Sequence, residues 1–212
     1  MARLDAEIRE AEIVQAAIAY FAEAGFGGTT RELAQRIGIS QPLLYRYFPT
    51  KEALVDRVYQ EVFDNTWRPE WDALLDGDGP LDGRIIAFYA DYATVILQPH
   101  WLRLFLLSGL RGYDMPTRFN RMLRGKVYRR IVGLLRADLG LEQAAPTESE
   151  IEAVWGLHGG LVYLGIRQSV FGMRMPLPMA VLAEQQVRIF LAGFRALLVG
   201  EEKRLTTQET DA

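Results

Sequence analysis

The chain has 212 residues, half of them hydrophobic, a formal net charge of −3 and no cysteine. The length suits one long or two short domains with a packed core. The missing thiols exclude a disulfide scaffold, a thiolate nucleophile and cysteine-ligated zinc, and fit a reducing cytosol. Residues 1–12 are charged throughout and carry no apolar signal-peptide region. The most apolar runs, 101–110 and 155–166, fall short of the ~20 residues that span a bilayer. A cytoplasmic protein with no membrane partner is therefore expected.

Taken in chain order, the pattern is helical almost end to end. Ile13, Val14, Ala17 and Phe21 form an apolar stripe of helical period within residues 5–24, and Gly25 with the Gly27-Gly28 pair stops that helix. Thr29-Thr30-Arg31-Glu32 matches a capping box, in which the Thr29 hydroxyl and Glu32 carboxylate satisfy free amides of a second helix. That helix buries Leu33, Ala34 and Ile37 and ends at Gly38. Ser40 caps a third, from about Gln41 to Phe48, with Pro42 in its first turn where the missing N–H costs nothing. Pro49-Thr50 breaks it, and Thr50 caps a fourth with apolar pairs Leu54/Val55, Val58/Tyr59 and Val62/Phe63.

Beyond Arg68-Pro69 and the turn-rich 76–80 stretch, longer helices are predicted over 81–97, 100–110, 115–139, 147–172 and 178–203, with a polar, disordered tail from Leu205. No segment alternates with period two, so no strand is predicted. The fold class is all-α: a small N-terminal bundle (1–68), a larger helical domain (69–204) and a tail (205–212).

Two short helices joined by a glycine turn form a helix-turn-helix pattern. On a helical wheel Leu44 and Phe48 anchor the second helix, while Pro42, Leu43 and Arg46 project outward, flanked by Tyr45 and Tyr47. That face suits a DNA major groove. Arg46 would donate twice to guanine, Gln41 would pair with adenine, and Leu43 would meet a thymine methyl. Tyr45, Tyr47, Thr30, Arg31 and Lys51 suit phosphate contacts, Lys51 reinforced by the amides that open the fourth helix. Net charge does not single this region out, since the first sixty residues hold seven Lys/Arg against eight Asp/Glu; but within 29–51 Arg31, Arg36, Arg46 and Lys51 face Glu32 alone. The competing reading makes Tyr45 and Tyr47 half-buried packing and Arg46 a solvated charge.

The run Gly28-Thr29-Thr30-Arg31-Glu32-Leu33-Ala34, followed by Gln41-Pro42-Leu43-Leu44-Tyr45-Arg46-Tyr47-Phe48 and Lys51-Glu52-Ala53-Leu54, closely resembles the DNA-binding domain of the tetracycline-repressor (TetR) family. Residues 16–26 resemble that family's first helix, and the resemblance covers about the first 65 residues. It implies a three-helix helix-turn-helix domain with Thr30, Arg31, Gln41, Pro42, Leu43, Tyr45, Tyr47 and Lys51 facing DNA. Leu43 departs from the pattern, which more often has Gly or Thr there. The resemblance further implies that the domain from residue 69 onward binds a small-molecule effector and forms a two-fold homodimer, giving a repressor released from a palindromic operator.

The residues of the larger domain support two readings. Leu182, Ile189/Phe190, Phe194 and Leu197/Leu198 in one helix, and Val154/Trp155, His158, Val162 and Ile166 in the preceding one, read either as a dimer interface through helices 147–172 and 178–203 or as packing within one subunit. Gly156, Gly159, Gly160 and Gly165 cost roughly 1 kcal/mol each against alanine inside a helix, which suggests close approach of another helix or room for a ligand. Tyr92, Phe105, Phe119, Trp155 and His158 are the candidate effector-binding residues, against the alternative of plain core. His158 reads first as a core histidine, then as a ligand contact, and last as a metal ligand, since His100 is the only other histidine. Residues 111–136 hold eight Lys/Arg and one acid, Asp114, either a face countered by acids elsewhere or an attraction for an anionic effector such as an acyl-coenzyme A. No Ser/His/Asp set, HExxH motif or phosphate-binding glycine loop is present, so neither enzyme chemistry, cofactor nor metal is expected. A non-specific architectural DNA binder is the remaining alternative.

Overall fold

The computed structural model describes the backbone of residues 2–141, 143 and 145–210, and side chains over 6–141, 143 and 145–200. Among these residues there are helices and no strands. The elements are α1 (Ala2–Ala24), α2 (Thr30–Ile37), α3 (Gln41–Tyr47), α4 (Lys51–Tyr59), α5 (Pro69–Asp76), α6 (Leu81–Ile96), α7 (Pro99–Leu110), α8 (Met115–Leu123), α9 (Arg129–Asp138), α10 (Glu148–Ser169) and α11 (Met179–Thr210). Two of them run on into π-helical turns, α4 through Gln60–Asp64 and α8 through Arg124–Tyr128. No helix among the described residues is long and apolar enough to cross a membrane.

Helix α5 is not predicted from the sequence, where Pro69 and the 76–80 stretch have the composition of turns. Pro69 instead opens the helix, where no N–H is needed. Trp71 and Leu75, four residues apart, are buried on its inner face. The tail expected from Leu205 falls where side chains lie outside the described residues, with helical backbone running to Thr210.

The chain forms two compact units: Met1–Trp67 with Gln98–Phe119, and Arg68–Leu97 with Asn120–Ala212. The division differs from the linear one in grouping residues 98–119 with the first 67, and the cause is aromatic. In the first unit Ile13, Val14, Ala17 and Phe21 of α1 are buried together with Leu33, Leu44, Leu54 and Val58, and α1 also packs along α7. Phe63 meets Trp101 of α7 at 4.9 Å and Phe119 of α8 at 5.6 Å between ring centroids, and Phe26 meets Tyr113 at 4.9 Å. Aromatic pairs of this kind add about 0.5–1.5 kcal/mol each to the burial term.

In the second unit α6 is central, packing on α5, α9 and α11. Trp71 stands edge-on to Tyr92 and donates its indole N–H to Asp91 at 2.6 Å. Arg195 of α11 bridges Asp82 of α6 (2.5 Å) and Asp138 of α9 (2.9 Å). The basic run is largely committed to carboxylates. Arg118 sits over the Tyr59 ring with Asp56 and Asp64 within 4 Å, Arg124 and Arg129 pair with Glu148, Arg130 binds Asp72 and Asp76, and Arg136 binds the buried Glu150.

The apolar stripe of α11 divides. Ala183, Val187, Leu191, Phe194 and Leu198 face the chain's own core, whereas Ile189 is 66% exposed and Leu197 43%. On α10, a Cβ built at Gly156 or Gly159 would meet nothing, while one at Gly160 would come 3.1 Å from the Gln186 side chain. Among the described residues nothing packs against these two open glycines.

Candidate nucleic-acid interface

Local chemistry fixes the helix pair. The Thr29 hydroxyl accepts from the Glu32 amide (3.2 Å) and the Glu32 carboxylate accepts from the Thr29 amide (3.0 Å), closing the capping box. Gly38 ends α2 with φ at +76°, in the left-handed region that favours glycine, and its N–H reaches back to Ala34 and Gln35. The Ser40 hydroxyl caps α3 through the Leu43 amide (3.3 Å), and Thr50 caps α4 through Ala53 (3.0 Å).

The carboxylate of Glu32 has a second task. The Tyr20 hydroxyl of α1 donates to it at 2.6 Å, which together with the Thr29 amide holds the carboxyl below its ordinary range. Burial, then the same hydrogen bond, pushes the Tyr20 hydroxyl up. This contact explains Gly28, where a Cβ would lie 2.3 Å from the Tyr20 oxygen and 2.6 Å from its ring carbons. Gly28→Ala is accordingly expected to displace Tyr20 and loosen the α2 cap, costing about 1–3 kcal/mol as an overpacking defect; a lowered melting temperature checks it, and an unchanged one would show that Tyr20 has room to move.

Leu44 and Phe48 are buried anchors of α3, and Pro42, Tyr45 and Arg46 are exposed, with Gln41, Leu43 and Tyr47 half-buried beside them. Arg46 lies 5.7 Å from the Tyr47 ring centroid. Neither Arg46 nor Arg31 has a carboxylate partner among the described residues, whereas Arg36 pairs with Glu23 at 2.7 Å. Thr30 is nearly buried, and its hydroxyl joins the Gln41 amide nitrogen (3.1 Å) and the Tyr45 hydroxyl (3.0 Å). One N–H and the carbonyl of the Gln41 amide are thereby left for a ligand, the two groups a bidentate adenine contact requires. The Lys51 ammonium, half-buried, donates to the Phe26 carbonyl and ties the start of α4 to the α1–α2 loop. The nine DNA-facing candidates thus come together at α2, α3 and the start of α4, with Thr30 acting inside the surface to position Gln41 and Tyr45.

The five effector candidates separate. Phe105 and Phe119 belong to the first unit, around Phe63 and Trp101. Tyr92, Trp155 and His158 belong to the second, where Tyr92 and His158 are buried with ring centroids 5.6 Å apart. Burial holds His158 neutral, its pKa pushed down to about 4. Tyr128 and Tyr89 share this neighbourhood and were not singled out from sequence. Tyr89 precedes Tyr92 by three residues, one turn of the same helix face, and that spacing was the available signal.

Residues 13–58 match the family model described as bacterial regulatory proteins, tetR family. Over 63 residues the chain is 43% identical to the tetracycline repressor protein class D of Escherichia coli, a match covering 29% of this chain and 27% of that protein. It is 33% identical over 106 residues to the HTH-type transcriptional regulator RutR of Escherichia coli K12, covering 47% of each. The match thus spans less than half the length of either curated relative. Among solved structures, Mycobacterium smegmatis AmtR superposes with a TM-score of 0.60 at 26% identity, over 89% of this chain and 92% of its own. A tetR-family transcriptional regulator from Streptomyces coelicolor superposes with a TM-score of 0.63 at 21% identity, over 95% and 86%, a likeness of fold.

Proposed function

We propose that this chain, which belongs to the TetR family of bacterial regulators, is a dimeric repressor that binds a palindromic operator and leaves it when a small molecule enters the larger helical region. The observation that carries the reading is the outward face of α3. A helix anchored by Leu44 and Phe48 presents Pro42, Arg46 and Tyr45 to solvent, a composition without a packing purpose and matched to base edges and phosphates.

The dimer reading rests on the exposed Ile189 and Leu197 of α11 and on the open glycines 156 and 159 of α10, which let a second copy approach closely. Two recognition helices would then sit about 34–36 Å apart, one helical turn of DNA. A ligand that favours a different spacing by on the order of 1–3 kcal/mol suffices for release. Within the first unit, α7 and the start of α8 bear on the end of α4 through Phe63, a route by which movement of these segments would reach the Lys51 end of that helix.

Footprinting on DNA upstream of the chain's own gene tests this. A short protected site with two-fold symmetry is expected; even coating of all DNA, with steep salt dependence and no preferred site, would mean an architectural role instead. Arg46→Ala is expected to relax base preference at one position of each half-site, at about 1–3 kcal/mol, while Tyr45→Phe weakens all sequences alike. Equal losses on specific and random DNA for Arg46→Ala would remove it from base reading.

A further inference from the structure

Among the described residues of the second unit, five buried side-chain polar atoms have no hydrogen-bond partner on the protein: Nε of Arg84 and, in one cluster of four, the hydroxyls of Tyr89, Tyr92 and Tyr128 and Nδ1 of His158. Tyr89 and Tyr92 share a face of α6, Tyr128 closes the π-helical turn after α8, and His158 is in the middle of α10. They are neighbours. The His158 ring lies 5.6 Å from those of both Tyr92 and Tyr128, and Tyr89 lies 6.3 Å from Tyr92. None of the four residues exposes more than 5% of its surface.

A buried polar group left without a partner loses its hydration and gains nothing in return. Four in one place weigh heavily against the marginal stability of a domain, which an occupant able to hydrogen-bond with them would offset. Its chemistry is set by the surroundings. Burial raises the pKa of all three phenols and lowers that of His158 to about 4, so the cluster is neutral at physiological pH. The Glu152 carboxylate adds to the rise at Tyr128. Five arginines of the 111–136 run are paired with carboxylates, and Arg84 of α6 donates to the carbonyls of Leu75 and Gly77. An anion placed among these phenols would be a buried charge without a counter-ion, which is costly. Three hydroxyl donors call for an acceptor-rich guest, and the stacked Phe88 and the Trp155 ring beside Tyr128 supply apolar walls.

We propose that Tyr89, Tyr92, Tyr128 and His158 form the effector site and that its ligand is an uncharged aromatic carbonyl compound, its oxygen accepting from the phenol hydroxyls. The assignment rests on the reading of this chain as a ligand-responsive regulator and excludes acyl-coenzyme A and free carboxylates from this site.

The probes are 4-hydroxyacetophenone and 4-hydroxybenzoate, which share a ring and a phenol and differ in charge. In calorimetric titration of the full chain at neutral pH, the ketone binds and the acid binds at least about tenfold more weakly. Tyr92→Phe/Tyr128→Phe lowers ketone affinity at least about tenfold while leaving the melting temperature unchanged or higher, because it removes hydroxyls that nothing on the protein satisfies; His158→Leu is the second variant should the first not fold. No heat from the ketone, equal affinity for the acid, unchanged affinity in both variants, or crystals soaked in the ketone that show only water at the four groups would each overturn the site. A gel shift on the upstream DNA separates the two claims. Ketone binding at the cluster without release of DNA overturns the regulator reading and leaves the site standing, whereas release by the acid alone does the reverse.

Discussion

Phe63→Ala is expected to destabilise the first unit by about 3–5 kcal/mol, enough to unfold much of it at physiological temperature. Phe63 is 1% exposed and touches four other rings, those of Tyr59, Trp101, Phe105 and Phe119. Truncation leaves a hole that none of these rigid groups can fill, so the cavity cost adds to the lost transfer energy. Chemical denaturation monitored by circular dichroism provides the check. Phe63→Leu, which keeps most of the volume, should lose less than half as much. A loss below about 1 kcal/mol for the alanine variant would mean that the aromatic cluster is loosely packed and that α7 and α8 are not what steadies the end of α4.

Glu150→Ala is the second large effect, at about 3–5 kcal/mol. The carboxylate is 1% exposed and accepts from the Arg136 guanidinium as well as from the Thr147 amide at 2.7 Å. Its own N–H is capped by the Thr147 hydroxyl at 3.3 Å. Removing it strands a guanidinium that is 13% exposed and opens the capping box of α10, itself worth about 1 kcal/mol. Glu150→Gln keeps an oxygen for the cap and not the charge, and should fall between wild type and alanine. Replacing both partners, as Glu150→Leu/Arg136→Met, should recover most of the loss because no charge is then left buried alone. If the double substitution is no better than Glu150→Ala, the pair is not the seat of the effect. The part Glu150 plays in its capping box is local, three residues from Thr147; its second role, as counter-ion to Arg136 fourteen residues earlier, depends on the fold.

That contrast runs through the molecule. The caps of α2, α3 and α4 were readable because each joins residues three apart, and the stops at Gly25 and Gly38 because a left-handed φ, +70° and +76°, favours glycine. The outward face of α3 was readable because seven residues of one helix carry their own periodicity. Helix α5 was not, since eight residues opened by proline look like a linker until Trp71 is seen against Phe88 and Tyr92. The grouping of residues 98–119 with the N-terminal segment was equally hidden, because it depends on Phe63 meeting rings more than thirty-five positions away. The effector candidates scattered for the same reason. Aromatic residues at helical spacing announce burial, but not which core receives them, and the orphaned hydroxyls of Tyr89 and Tyr128 are visible only once their surroundings are known.

The three-residue network of Thr30, Gln41 and Tyr45 also has an evolutionary consequence. If Gln41 and Tyr45 are the groups that meet the operator, both are oriented by one buried hydroxyl, so their contributions are coupled rather than additive. Drift toward a new operator would have to cross intermediates in which one member has changed and the others have lost their bearing, and paralogues with new targets would therefore exchange these positions as a set.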